Sequence, residues 1–548
     1  MLRPFPQNYF QKVRPVVPSL PFENQSRRGT LEGISLQTPL GNDAFVVTGF
    51  QYAETLGQPF EILLELESKS SSIQASSLVG KPFTVSLQLP GGGTRYFNAI
   101  MGTFARQSHS GDVTRYRAIG IPWYSLLKLT KNSQIFQNVT VRDVFTQIFA
   151  AYDFCKYEVT GFYPKTLWET CTQYRETSFD FIQRLLEQEG IYYFWKHEKN
   201  QHTLKTCDTI SNHGPFSGYS QIPYRSAELG QQVDEHIYQW NCETAIQSSC
   251  VVLKDYNYNS PDESLEKTQS AKAPLGPDPL EAYDYPGFFQ NHADCERYVQ
   301  VRMEAKECCQ NLFRGRAQCL AIAAGFKFIL TGFPVSSENG WYLTTEMRLT
   351  VGTVNDDGGG ENRSRKAAAG FPDGSVAYWY DCEFTAIPDG VQYRSNFTAS
   401  VPQVFGLQPA FVYAPDGQDP QTPYTDSLGR IQLLFPWNRN GKQTAWVRKA
   451  QVMAGNGWGH VHCPRPGDEV LVAFEYGNVD RPVIVGCLYN GKTQLPLPMP
   501  ESAHIHVFKD QSGNIISINP QVGKETIRIQ SPSENSSIVV GAGTPNPS

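Results

Sequence analysis

The most regular pattern in the chain lies at its C-terminal end. Ile505 and Val507 are followed by Ile516 and Ile518, then Ile527 and Ile529, then Ile538 and Val540, so an i, i+2 apolar pair recurs every 11 residues. That spacing predicts four short strands, each with one apolar face. Gly513, Gly523 and Pro532 mark polar turns between them. Two buried side chains per repeat yield only about 4 kcal/mol, which is less than the cost of ordering the backbone of the repeat. The stripe therefore predicts that further copies of the chain complete the core.

Upstream the texture is different. Residues 1–35 belong to a Pro-rich stretch with little periodicity, which reads as an extended or disordered arm. Strand patterns follow at Phe45–Val47, Phe60–Leu66, Phe83–Leu89 and Arg115–Ile121. Helical spacing predicts a helix over 141–154 with Thr140 as N-cap, and another over 178–189 that Gly190 stops. Residues 191–206 read as a hairpin, and 291–314 as a longer helix. Further strands are expected at Phe326–Leu330 and Trp341–Leu349, and a loop at 354–374. From 428 onward five strands are predicted within a short span: Arg430–Phe435, Ala445–Val452, His460–Cys463, Glu469–Phe474 and Val483–Leu488. Five strands in that length suggest a small OB-type barrel.

At 548 residues the chain is long enough for several domains, and 12% aromatic content excludes a disordered chain. The formal net charge of −6 speaks against a nucleic-acid-binding protein. The twelve cysteines are scattered without a Cys-x-x-Cys pair, as in a cytosolic protein with reduced thiols. The N-terminus lacks a signal-peptide core, and the longest apolar stretch, around 319–333, is interrupted by Lys327 and is too short to span a bilayer. The expectation is synthesis in the cytoplasm and any export by a route without a cleaved signal.

Candidate chemistry is sparse. Gly486–Thr493 fits the P-loop expression, but prolines at 496, 498 and 500 forbid the helix that cradles phosphate there. His197-Glu198 with His202 is one residue too long for a zincin motif, and Glu187 and Glu189 show no evident acid/base partner. Two His-x-His pairs, His460/His462 and His504/His506, are weak metal candidates, because i and i+2 on a strand point to one side. Across 428–492 eight basic residues face four acidic ones, and Trp437, Trp446 and Trp458 could stack bases as readily as pack a core. No catalytic residue and no cofactor site is expected.

Several runs taken together carry a family resemblance. Ser427-Leu-Gly-Arg-Ile-Gln-Leu-Leu-Phe-Pro-Trp-Asn-Arg439, residues 446–459, Pro464–Phe474 and above all Gly477-Asn-Val-Asp-Arg-Pro-Val-Ile-Val-Gly-Cys-Leu-Tyr-Asn-Gly491 resemble the OB domain of VgrG, the spike family of type VI secretion systems. Arg95–Asn98, Pro122-Trp123, Ser133–Gln137 and Gln173–Phe194 are similar to that family's hub region. The resemblance implies a mainly β chain with some α. Its expected parts are a phage-tail-hub-like region over 36–400, with two barrel subdomains plus helices, an OB-fold neck over 401–498, and a short trimeric β-helical needle over 499–548. The needle core would be Ile505, Val507, Ile516, Ile518, Ile527, Ile529, Ile538 and Val540.

The resemblance further implies a homotrimer on the hexameric Hcp tube, with baseplate components, a PAAR-type tip and effector or adaptor proteins as partners. Such a spike punctures a target membrane mechanically and leaves the cytoplasm through the secretion apparatus, with no catalysis of its own and no nucleic-acid partner. The needle, at four repeats, is short for the family, and no effector or lysozyme domain is expected. A phage or prophage tail spike is the alternative reading. An enzyme or nucleotide-binding protein is the alternative of another class.

Overall fold

The computed structural model describes residues 33–90, 92–161, 165–226, 234–353, 367–370 and 376–541. Most of the Pro-rich arm and of the 354–374 loop therefore lies outside the described residues. The chain is mainly β, with three α-helices among the described residues: α1 (Val141–Phe149), α2 (Ser178–Glu189) and α3 (His292–Glu307).

Helix α1 starts where the sequence places it. Thr140 accepts a bond from Asp143 N, and the Asp143 carboxylate bonds back to Thr140 N at 2.9 Å, a closed capping box. Helix α2 ends at Gly190, whose φ of 72° is one that a Cβ would disfavour. Helix α3 is shorter than its sequence pattern. After Cys308–Gln310 the chain becomes a strand, Asn311–Gln318. Phe313 and Ala317 there are buried and follow a period of two, while Leu312 had supplied a false helical match.

The hub is built on one 13-stranded sheet among the described residues. Its path runs from Ile34–Gln37 through the first-half strands to Val46–Thr55, which pairs antiparallel with Gly340–Thr353 and so joins the second half. One continuous sheet thus runs through both halves of the hub, the region where two barrel subdomains are expected. The hairpin Tyr192–Glu198/Gln201–Cys207 has the register His197↔His202 and packs its aromatic residues into the same core.

The barrel follows. Its five-stranded sheet runs Leu433–Leu434, Gln408–Val412, Glu469–Phe474, Pro482–Leu488, Arg448–Lys449. The sequence pattern does not predict Gln408–Val412, and His460–Cys463, expected as a strand, lies outside the sheet. The barrel core is Ala410, Val412, Ile431, Leu433, Val447, Val470, Val472 and Ile484, with Ile135 contributed by the hub.

The tail comprises His506–Lys509, Ile515–Asn519, Thr526–Ser531 and Ser536–Gly541. Within the single chain these form a four-stranded antiparallel meander, because each polar turn sends the chain back beside itself.

Candidate assembly site: the hub–barrel joint and the open tail face

Most of the family-like runs converge in space although hundreds of residues separate them. The hub ribbon Lys131–Val139/Trp168–Thr177 presents Ile135 to the barrel core. The barrel then binds both the Ile135 backbone and the Gln137 side chain. Asn438 Oδ1 accepts from Ile135 N at 3.3 Å, Asn440 Nδ2 donates to Ile135 O at 3.1 Å, and Gln137 Nε2 donates to Gln443 O at 2.7 Å. Trp437 packs edge-to-face on Tyr174 at 5.2 Å and donates to Gln408, which in turn donates to Tyr174.

The Asp480-Arg481 dipeptide sits at the heart of this joint. Arg481 makes a two-pronged pair with the buried Asp255, both contacts at 2.8 Å. Asp480 is enclosed near the buried Arg184–Glu176 pair, and its carboxyl is pushed up to about 6 by burial, against the pull of Arg184. A cleft of about 180 Å³ opens here, lined by Arg184, Asp480, Trp437 and Trp446. Glu187 and Glu189, without partners in the sequence reading, are anchors. Glu187 accepts from Thr398 N and Ala399 N at 2.7 and 2.8 Å, and Glu189 holds Arg297 and Tyr298.

The hub interior carries a closed polar network. Glu54 accepts from Tyr52 OH and from Trp195 N. Tyr52 OH lies 3.0 Å from His197 Nε2. His202 Nε2 accepts from Trp123 N at 2.8 Å, so its Nδ1 carries the proton toward Asn98 Oδ1 at 2.7 Å. Burial lowers His202 to about 3, which keeps its ring neutral, and raises Glu54 to about 7, so that carboxyl holds its proton to a far higher pH than an exposed one. These residues fix the hub and leave the imidazoles no free lone pair for a metal.

The tail presents the opposite picture. The register His506↔Ile518, Phe508↔Ile516, Ile516↔Ile529, Ile518↔Ile527, Ile527↔Val540 and Ile529↔Ile538 puts Phe508, Ile516, Ile518, Ile527, Ile529, Ile538 and Val540 on one face. That face is open to solvent: Ile516 is 49% exposed and Ile538 63%. The other face mixes Ser517, Arg528 and Gln530 with Val507, Ile515 and Val539, and is largely half-buried over the first three strands.

Six of the eight expected core residues thus share the apolar face, and the first pair does not. Ile505 precedes the strand, and Val507 pairs with Ser517 on the polar face. The reason is loop parity. An 11-residue repeat stays in phase only when hairpin loops have an even number of residues, as 520–525 and 532–535 do. The loop Asp510–Asn514 is odd, held by Asp510 bonds to Asn514 N at 2.8 Å and Nδ2 at 2.7 Å, and it shifts the first strand by one.

The remaining candidates separate cleanly. His504 lies in a turn and His506 on the strand, so they do not form a strand pair. His460 and His462 do meet, with Nε2 atoms 3.0 Å apart. Gly486 lies inside the strand Pro482–Leu488, and an Asn490-centred turn, not a helix, follows it. Trp458 is exposed, whereas Trp437 is committed to the joint.

A family model for the phage tail baseplate hub matches residues 53–355, and one for the type VI secretion system/phage-baseplate injector OB domain matches 420–489. The type VI secretion spike protein VgrG1a of Pseudomonas aeruginosa is 33% identical over 87% of this chain and 73% of its own length. The chain belongs to the VgrG spike family. Two further P. aeruginosa spike proteins, VgrG1b and VgrG1c, are each 34% identical, and the chain spans 63% of each. Among solved structures, an E. coli type VI component described as similar to bacteriophage tail proteins superposes with a TM-score of 0.57 at 19% identity, covering 83% of this chain and 99% of that one. The Francisella PdpA–VgrG complex gives a TM-score of 0.61 at 9% identity, covering 92% and 78%. The spike-family fold is therefore shared across very distant sequences. The chain is a structural spike protein, and the joint is where this VgrG chain fixes its hub to its OB domain.

Proposed function

We propose that three copies of this chain close their open tail faces on one another into a short trimeric needle, at the tip of a contractile injection machine. The observation that carries this reading is the continuous apolar face from Phe508 to Val540, more exposed than the polar face behind it. Burying a half-exposed Ile is worth about 1 kcal/mol, and the stripe is repeated in every copy. The hub then docks on the Hcp tube with baseplate components, the barrel forms the neck, and the needle takes a PAAR-type tip. The mechanism is mechanical. Rigid joints transmit thrust, the needle breaches the target membrane, and effectors or adaptors travel on the spike. No catalysis by this chain is needed. The route is assembly in the cytoplasm and delivery through the apparatus. No helix among the described residues is long and apolar enough to cross a membrane.

Light scattering on the full chain tests the reading. A solution mass three times the 61.5 kDa of one chain is expected. A monomer at every concentration tried overturns it.

A further inference from the structure

We propose that His460 and His462 form a two-nitrogen site for a borderline divalent transition ion such as zinc, nickel or copper(II), at the edge of the barrel where the tail begins. The site is independent of the trimer reading, because both ligands come from one chain.

The backbone holds the two residues extended and side by side. His460 N donates to Met453 O at 2.9 Å, continuing the small ladder Ala454↔Gly459 and Gly455↔Trp458. Gln451 brackets His462 with two longer bonds, Oε1 accepting from His462 N at 3.3 Å and Nε2 donating to His462 O at 3.4 Å. Both rings therefore project to one side, with centroids 4.3 Å apart. The ring of His462 rests edge-on against Phe508 of the first tail strand at 5.2 Å, which restrains its rotamer.

The decisive quantity is the Nε2–Nε2 separation of 3.0 Å. Two nitrogens bound cis to one ion at about 2.0–2.1 Å lie about 2.9–3.4 Å apart. The pair thus already has the nitrogen separation of a chelate. Without an ion, one ring donates an Nε2 proton to the other. On binding, that ring carries its proton on Nδ1 instead, and both Nε2 lone pairs face the ion. Imidazole nitrogen selects for zinc, nickel and copper over magnesium or calcium. No group of three or more His, Cys, Asp or Glu that could hold a metal occurs among the described residues, so water completes the shell. An ion there would stiffen the loop 453–463 against the tail through Phe508.

The test is zinc titration of the untagged full chain by calorimetry at pH 7.5, with nickel-resin retention as a second readout. One zinc per chain at saturation is expected. His460→Ala and His462→Ala should each weaken binding at least tenfold and abolish retention, while the double variant His504→Ala/His506→Ala behaves as the parent. Absence of zinc uptake by the parent overturns the proposal. So does equal binding by the His460→Ala or His462→Ala variants, which show their folding by an unchanged melting curve.

Discussion

In the hub, Phe60 and Trp195 are 1% exposed and Tyr52 is fully buried, and every polar group of the Glu54–Tyr52–His197–Asn98–His202 chain has a partner. In the tail, Ile527 and Ile529 are each 48% exposed, and the polar side of the meander is the better covered one. The same chain thus contains a region that satisfies itself and a region that does not. On the proposed reading the hub must keep its shape before and after docking. If the tail gains its core from its copies, as proposed, its stability is tied to assembly.

The largest effect expected from breaking this contrast is on the tail. Replacing both Ile527 and Ile529 with Asp places two charges where three copies would meet, and an unpaired charge in an apolar core is intolerable. Self-association should be lost entirely, with the solution mass falling to that of one chain. The hub should melt as before, because the tail contributes nothing to the hub core. An unchanged mass would show that the apolar face is not an interface.

The converse change acts on the hub. Phe60 packs against Tyr52, Trp195 and His202 at centroid distances of 5.2–5.6 Å. Phe60→Ala should cost about 3–5 kcal/mol, read as a lowered midpoint in denaturant. Surviving molecules should still associate through their tails. A tail that failed together with the hub would mean that the two regions fold as one unit.

How much of this was legible in the sequence follows from the range of the interactions. The start of α1 and the end of α2 were legible, because a capping box and a left-handed glycine act within four residues, whereas α1 stops at Phe149 and not at 154. The tail stripe was legible because its period is local. Its phase was not, since one odd loop, Asp510–Asn514, reverses the facing of the strand before it. The strand Gln408–Val412 was missed: it is short, contains Pro409, and is buried only at Ala410 and Val412. The joint was visible only as family likeness. Ile135 and Asn438 meet across 303 residues of chain, and no periodicity reports such a contact. Nor does composition show that Asp480 and Arg481 differ in purpose, one enclosed and the other paired.

That difference supplies the smallest effect and the sharpest one. Burial raises Asp480 from 3.8 to about 6, so the folded chain holds this proton more tightly than the unfolded chain does. The sign follows from linkage. Stability is lost as pH rises from the unfolded value through the folded one, and the full cost is present above about 6. Each unit is worth about 1.4 kcal/mol, so the ceiling is about 3 kcal/mol, reduced by whatever Arg184 loses with the charge. Asp480→Asn removes the ionisation and keeps an acceptor. The variant should therefore be more stable than the parent by about 1–3 kcal/mol at pH 8, and the advantage should shrink steadily toward pH 5. Unfolding curves at several pH values measure it. A variant less stable at pH 8 would mean that the Asp480 charge is needed by Arg184, and that the joint, like the hub, is built on satisfied partners.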